Sequence, residues 1–182
     1  MTTLYEQNNV TDWAASIYAL FKAHRVDMIS FVPDGGHKRL IELCQLDSHM
    51  RTVTLTTEEE GVAFAAGAFL GGRRAVLLMQ SSGVGNCVNM LSLPRMCNMP
   101  FLTLITMRGE WGEFNPWQVP MGQSTPTVLE ASGVIVYRVN TVEDVCPTVE
   151  AAIQLAFQSQ CRVAVLLSQK LIGAKSFEGG NS

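Results

Sequence analysis

Residues 75–79, Ala-Val-Leu-Leu-Met, form an unbroken apolar run, and residues 101–106, Phe-Leu-Thr-Leu-Ile-Thr, are nearly as apolar. A strand with that pattern has no face to offer to water, so both of its faces must be covered. No other feature of the chain constrains the fold as much. It excludes a half-solvated antiparallel sheet and calls for helices on both sides of a parallel one. The remaining sequence supplies those helices. Periodicity predicts a helix over 13–23, with Ile17, Leu20 and Phe21 on one face. A strand over 27–32 follows, stopped by Pro33-Asp34-Gly35-Gly36, then a helix over 38–44 and a short strand over 52–55. A helix opens at the glutamate run and ends near Gly71-Gly72. After the strand at 75–79 and the 81–86 segment, a helix is expected to run to Leu93, then the strand at 101–106. Residues 108–124 read as loop, and a helix over 127–131, a strand over 134–137, a helix over 142–157 and a strand over 163–167 complete the chain.

Strand and helix thus alternate about six times. Right-handed crossovers then give a three-layer, doubly wound, six-stranded parallel sheet. The expectation is one domain over residues 1–182 with its core at about 12–170. Sheets of this kind bind ligands at the carboxyl ends of their strands. Four loops fall there, at 33–37, 56–60, 80–86 and 107–123, and they hold most of the unusual chemistry of the chain.

Composition narrows the function. Hydrophobic residues are 47% and charged residues 16%, which predicts apolar surface buried against a partner. A net charge of −3 without a basic cluster argues against nucleic acid. No apolar run reaches membrane-spanning length. The opening residues Met1-Thr2-Thr3-Leu4-Tyr5-Glu6 carry no secretory signature. Five scattered cysteines without a C-x-x-C pair fit a reduced, cytoplasmic chain, and three dispersed histidines indicate no metal site.

The segment Thr56-Thr57-Glu58-Glu59-Glu60-Gly61 sets three carboxylates at the head of a small, apolar helix. A carboxylate held in apolar surroundings binds its proton more tightly, which suits a proton donor. The same residues also fit a capping box between Thr57 and Glu60, with glutamates favoured by the helix dipole. Gly83-Val84-Gly85 follows a strand, but Val88 stands where a dinucleotide fingerprint needs its third glycine, and no Gly-Lys-Ser/Thr loop occurs. Asp34 and His37, at the end of a strand, either shape a turn or transfer protons. The aromatic segment at 108–118 is too long for a plain connector. It is an ordered surface loop, a subunit contact, or a substrate loop in which Arg108 binds an anion.

Four motifs occur in order: Val32-Pro33-Asp34-Gly35, Glu58-x-x-Gly-Val-Ala-x-Ala-Ala-Gly67, Met79-Gln80-Ser81-Ser82-Gly83-Val84-Gly85-Asn86, and Met107-Arg108-Gly109-Glu110. Together they resemble the pyrimidine-binding (PYR) domain of thiamine-diphosphate-dependent 2-oxo acid decarboxylases. The pattern is most similar to the sulfopyruvate decarboxylase α subunits and to the matching half of phosphonopyruvate decarboxylases. The resemblance implies a carboxy-lyase that turns an acidic 2-oxo acid into an aldehyde and CO2, with sulfopyruvate giving sulfoacetaldehyde. It places the cofactor-activating glutamate on Glu58, sharing a proton with N1′ of the aminopyrimidine, and leaves Glu59 as the fallback. Gln80, Ser81, Ser82, Gly83 and Asn86 would line the pyrimidine end, Asp34 would handle protons, and Arg108, Gln118 and His37 would approach the substrate. The Gly-Asp-Gly…Asn motif that binds Mg2+ and diphosphate in this family is missing from these residues. The resemblance therefore implies a separate β (PP) subunit carrying Mg2+, in an α2β2 or larger assembly with contacts between PYR domains. No adjacent histidine pair stands near Gln118, which sets plain pyruvate aside as substrate. A non-catalytic PYR-like interaction module is the alternative from another class.

Overall fold

A computed structural model describes residues 12–173. The opening segment, where no secretory signature was expected, lies outside them. The elements in chain order are α1 (Trp13–Ala23), β1 (Val26–Phe31), α2 (Lys38–Leu46), β2 (Arg51–Thr54), α3 (Glu58–Leu70), β3 (Arg74–Gln80), α4 (Val84–Cys87), α5 (Ser92–Met96), β4 (Phe101–Thr106), α6 (Val119–Ala131), β5 (Ile135–Val139), α7 (Val145–Gln158), β6 (Arg162–Leu167) and α8 (Gln169–Ile172). Single 3-10 turns at Ser81–Gly83 and Pro116–Gln118 lead into α4 and α6.

All six strands run parallel, in the order β2-β1-β3-β4-β6-β5. The apolar runs of β3, β4 and β6 lie in the middle of the sheet and divide their side chains by parity. Val76, Leu78, Leu102, Leu104, Val163 and Val165 face one core, packed by Ile17 and Phe21 of α1, Leu40 of α2 and Val149 of α7. Leu77, Met79, Ile105, Ala164 and Leu166 face a second core, packed by Val62 and Ala65 of α3, Val84 of α4 and Leu129 of α6. Each fully buried Leu or Ile contributes about 1.5–3 kcal/mol. The doubly covered sheet expected from the runs is the observed one.

Two segments depart from expectation. The helix expected after Asn86 and running to Leu93 is replaced by a turn at 88–91, between the single turn of α4 and a separate α5 that starts at Ser92. Pro94 lacks the N–H that a helix continuous through this stretch would need. The loop expected over 108–124 ends early, because α6 begins at Val119 rather than at residue 127. Pro120 lies in the first turn, where no donor is needed, and the helix continues past Pro126. Among the described residues no helix is long and apolar enough to cross a membrane.

Candidate active site

Helix α3 starts directly after β2, so its first turn faces the carboxyl edge of the sheet. Rotation by about 100° per residue separates the three glutamates. Glu58 turns inward and is 8% exposed, whereas Glu59 and Glu60 are exposed. Glu60 reaches back to the backbone N–H and hydroxyl of Thr56, both at 2.9 Å. The expected reciprocal capping box with Thr57 is not formed, because the Thr57 side chain makes no capping bond and Glu60 binds the preceding residue instead.

The Glu58 side chain lies across Gly83. A β-carbon at residue 83 would come within 2.4 Å of its carboxyl carbon and Oε1, so only glycine leaves room there. Asn86 donates to Glu58 Oε2 at 2.8 Å. Oε1 has no hydrogen-bond partner among the described residues. Glu58 lines a cleft of about 90 Å3 with Val32, Pro33, Asp34, Gln80 and Ser82. A second cleft, of about 190 Å3, opens on the other side of Asp34 and is bounded by Gly35, Gly36, Thr106, Arg108, Ile172 and Gly173.

Asp34 therefore sits where the two clefts meet. Its carboxylate accepts from Gln80 Nε2 at 2.9 Å, Thr106 Oγ1 at 2.5 Å and the Gly36 N–H at 3.1 Å. Burial alone would push this carboxyl up, but the Thr106 hydrogen bond, the electrostatic influence of His37, and the Gln80 and Gly36 hydrogen bonds together outweigh it and hold Asp34 below the ordinary aspartate range. Ser82 Oγ donates to Gln80 Oε1 at 2.9 Å and so extends the chain of hydrogen bonds.

Three of the expected site residues take other roles. His37 is 0% exposed and its Nε2 lies 3.1 Å from the Leu104 carbonyl, so it is walled off from any substrate. Burial holds its imidazole below the ordinary range, hence neutral at neutral pH. Ser81 is also fully buried, and its hydroxyl accepts from the Arg108 N–H at 3.0 Å, tying two loops together. Arg108 lines the larger cleft, but its charge is already matched. Nε and Nη2 each lie 2.6 Å from Glu113, with side-chain exposures of 8% for Arg108 and 3% for Glu113. Gln118 has a buried Oε1 without a partner among the described residues.

Sequence reasoning missed Glu113 and Gln169. Glu113 also accepts from the N–H groups of Gly109 and Asn115 and from Gln169 Nε2. Gln169 is 1% exposed and holds the same loop through Oε1, which accepts from the N–H groups of Glu110 and Trp111. The loop at 108–118 is thus a clamped wall of the site, and its only sequence signal was an excessive length for a connector. Arg108 holds the Glu113 carboxyl down to about 2, and neighbouring N–H groups add to this. A depressed carboxyl contributes stability that is present above the ordinary glutamate range and lost as pH falls toward about 2. The thermal midpoint should therefore fall on acidification from about pH 5 to about pH 3. Glu113→Gln should lower the midpoint at pH 7 and flatten that acid loss. A variant with the wild-type acid slope would refute the assignment.

Among the described residues no three His, Cys, Asp or Glu side chains gather as metal ligands. No protein-family model matches the chain. The sulfopyruvate decarboxylase subunit alpha of Methanococcus maripaludis is 33% identical over 153 residues, which cover 84% of this chain and 92% of that one. The chain belongs to the sulfopyruvate decarboxylase α-subunit family. A longer relative, the sulfopyruvate decarboxylase of Methanosarcina acetivorans, is 31% identical over 85% of this chain but only 40% of its own length. The phosphonopyruvate decarboxylase of Streptomyces viridochromogenes is 35% identical over 119 residues, 30% of its length. Among solved structures, the 2-oxoglutarate:ferredoxin oxidoreductase of Magnetococcus marinus superposes with a TM-score of 0.68 at 15% identity, covering 93% of this chain and 34% of that one. That likeness concerns the fold. In this chain the helix start after β2 places Glu58, and the loop after β1 places Asp34.

Proposed function

We propose that this chain is the pyrimidine-binding α subunit of a thiamine-diphosphate-dependent decarboxylase that converts sulfopyruvate to sulfoacetaldehyde and CO2. One observation carries the site assignment. Glu58 is an inward carboxylate over Gly83, with one oxygen fixed by Asn86 and the other without a partner among the described residues. An aminopyrimidine edge fits that arrangement, because the carboxyl sits at one side of a narrow cleft whose other walls include Val32 and Pro33. Bound thiamine diphosphate supplies a carbon nucleophile for the 2-oxo group and takes up the electrons left when CO2 departs. Glu58 Oε1 holds and returns a proton at the pyrimidine N1′, while Asn86 keeps the carboxyl from turning. Gln80 and Ser82 line the same cleft, and Asp34, anionic, is available to accept a proton where the two clefts meet.

The other half of the site, with Mg2+ and the diphosphate, belongs in this reading to a separate β subunit, in an α2β2 or larger assembly. The relatives' designation as α subunits supports a partner, as does the longer Methanosarcina chain. Arg108 contributes little net charge toward the substrate's sulfonate, since Glu113 balances it, and Nη1 is the end it has left to offer. The whole chain is read as one pyrimidine-binding domain. Phosphonopyruvate is the second candidate substrate, favoured by the Streptomyces relative. Aldehyde formation by the assembled enzyme should be fastest with sulfopyruvate, and slower with pyruvate by roughly 100-fold or more, since a site built for a polar group rejects an analogue lacking it. Preference for phosphonopyruvate would reassign the substrate.

A further inference from the structure

The hydrogen bonds of Asp34 have an origin in sheet register. Gln80 is the last residue of β3 and Thr106 the last of β4, and the two are register partners in the parallel ladder. Neighbouring positions of a parallel pair point to the same side, so the two side chains stand together at the carboxyl edge of the sheet. They grip opposite oxygens of one carboxylate: Gln80 Nε2 on Oδ1 and Thr106 Oγ1 on Oδ2. Asp34 comes from the loop after β1, 46 residues from Gln80 and 72 from Thr106. Gly36 makes the approach possible. A β-carbon there would lie 2.7 Å from Thr106 Cγ2 and 3.0 Å from Asp34 Oδ2.

Thr106 is 1% exposed, and its hydroxyl has one proton to give. The candidate acceptors are Asp34 Oδ2 at 2.5 Å and the Met79 carbonyl at 3.5 Å. The short, charge-assisted contact takes the proton. We propose that Thr106 is a positioning residue whose hydroxyl, side by side with the Gln80 amide, fixes the Asp34 carboxylate at the meeting point of the two clefts. It touches neither substrate nor cofactor in this role and acts through Asp34. The proposal rests on the reading of Asp34 as a participant in the reaction.

The other charged or titratable groups around Asp34 are His37 at the start of α2, neutral by burial, Lys38 and Glu42 lining one adjoining groove, Arg108 lining another, and Glu58 across the smaller cleft. None of them donates a hydrogen bond to the carboxylate, so loss of the Thr106 hydroxyl should be felt directly.

Thr106→Val keeps the shape and removes the donor. Two measurements test the proposal: the titration of the Asp34 carboxyl carbon by 13C NMR on the full chain, and the acid limb of kcat/KM in the complex with the partner subunit, thiamine diphosphate and Mg2+. The valine variant should raise both midpoints by about one pH unit, the tenfold weight of one hydrogen bond to a charged group. Thr106→Ser should restore both, and Thr106→Ala replaces valine if that variant does not fold. An Asp34 titration that moves while the rate profile stays put supports the positioning and removes Asp34 from the reaction. An Asp34 titration unmoved in the valine or alanine variant overturns the proposal, whatever the rate profile does.

Discussion

Glu58→Gln should lower decarboxylation by the assembled enzyme by about 10²- to 10⁴-fold, the range for a positioned acid-base group. The substitution is close to isosteric. A glutamine carbonyl can still accept from Asn86, and the side chain can still lie across Gly83, so packing and assembly should survive. Only the ability to hold and return a proton at Oε1 is lost. Glu59→Gln is the internal control, because Glu59 is exposed and one helical step away from the cleft. CO2 release and size-exclusion of the α–β complex read the two consequences separately. Full activity in Glu58→Gln, or loss of activity in Glu59→Gln instead, would move the role to the neighbouring carboxylate or end the idea.

The second large effect concerns the chain by itself. Turnover of sulfopyruvate should fall at least ~10²-fold without the partner subunit, because cofactor and substrate would lack half of their positioning groups. The clefts around Asp34 are open at the edge of the sheet, and the 182 residues contain no Gly-Asp-Gly for diphosphate and Mg2+. Adding the β subunit, thiamine diphosphate and Mg2+ should restore the rate. Trp111 and Trp117 are 51% and 87% exposed on the loop that walls the site, so their fluorescence should change on mixing. Efficient catalysis by the isolated chain would refute the two-subunit reading.

Much of this architecture was legible before any coordinates. Apolar runs at 75–79 and 101–106 demanded a doubly covered parallel sheet, and β3 and β4 are its two central strands. The four loops expected at the carboxyl ends are where Asp34, Glu58, Gln80 and Arg108 are found. Failures arose where local sequence gave no sign of a distant partner. Arg108 looked like a free cation, and Glu113, only five residues on, takes two of its nitrogens. His37 was expected to approach the substrate, yet it is buried against β4, with Nε2 at the Leu104 carbonyl. The segment at 108–124 read as loop, yet α6 begins at Val119 and continues past Pro126.

The sequence by itself determined the strand and helix order, the parallel sheet, and the family, because burial periodicity and short motifs are written locally along the chain. It placed the expected acid on Glu58, with Glu59 as the fallback. Only the tertiary structure decided that Glu58 lies across Gly83, that Glu113 neutralises Arg108, and that Gln80 and Thr106 grip Asp34. Most of those contacts join residues tens of positions apart. They depend on strand order and on a register in which one slipped residue would turn each side chain to the opposite face, and no local pattern encodes that.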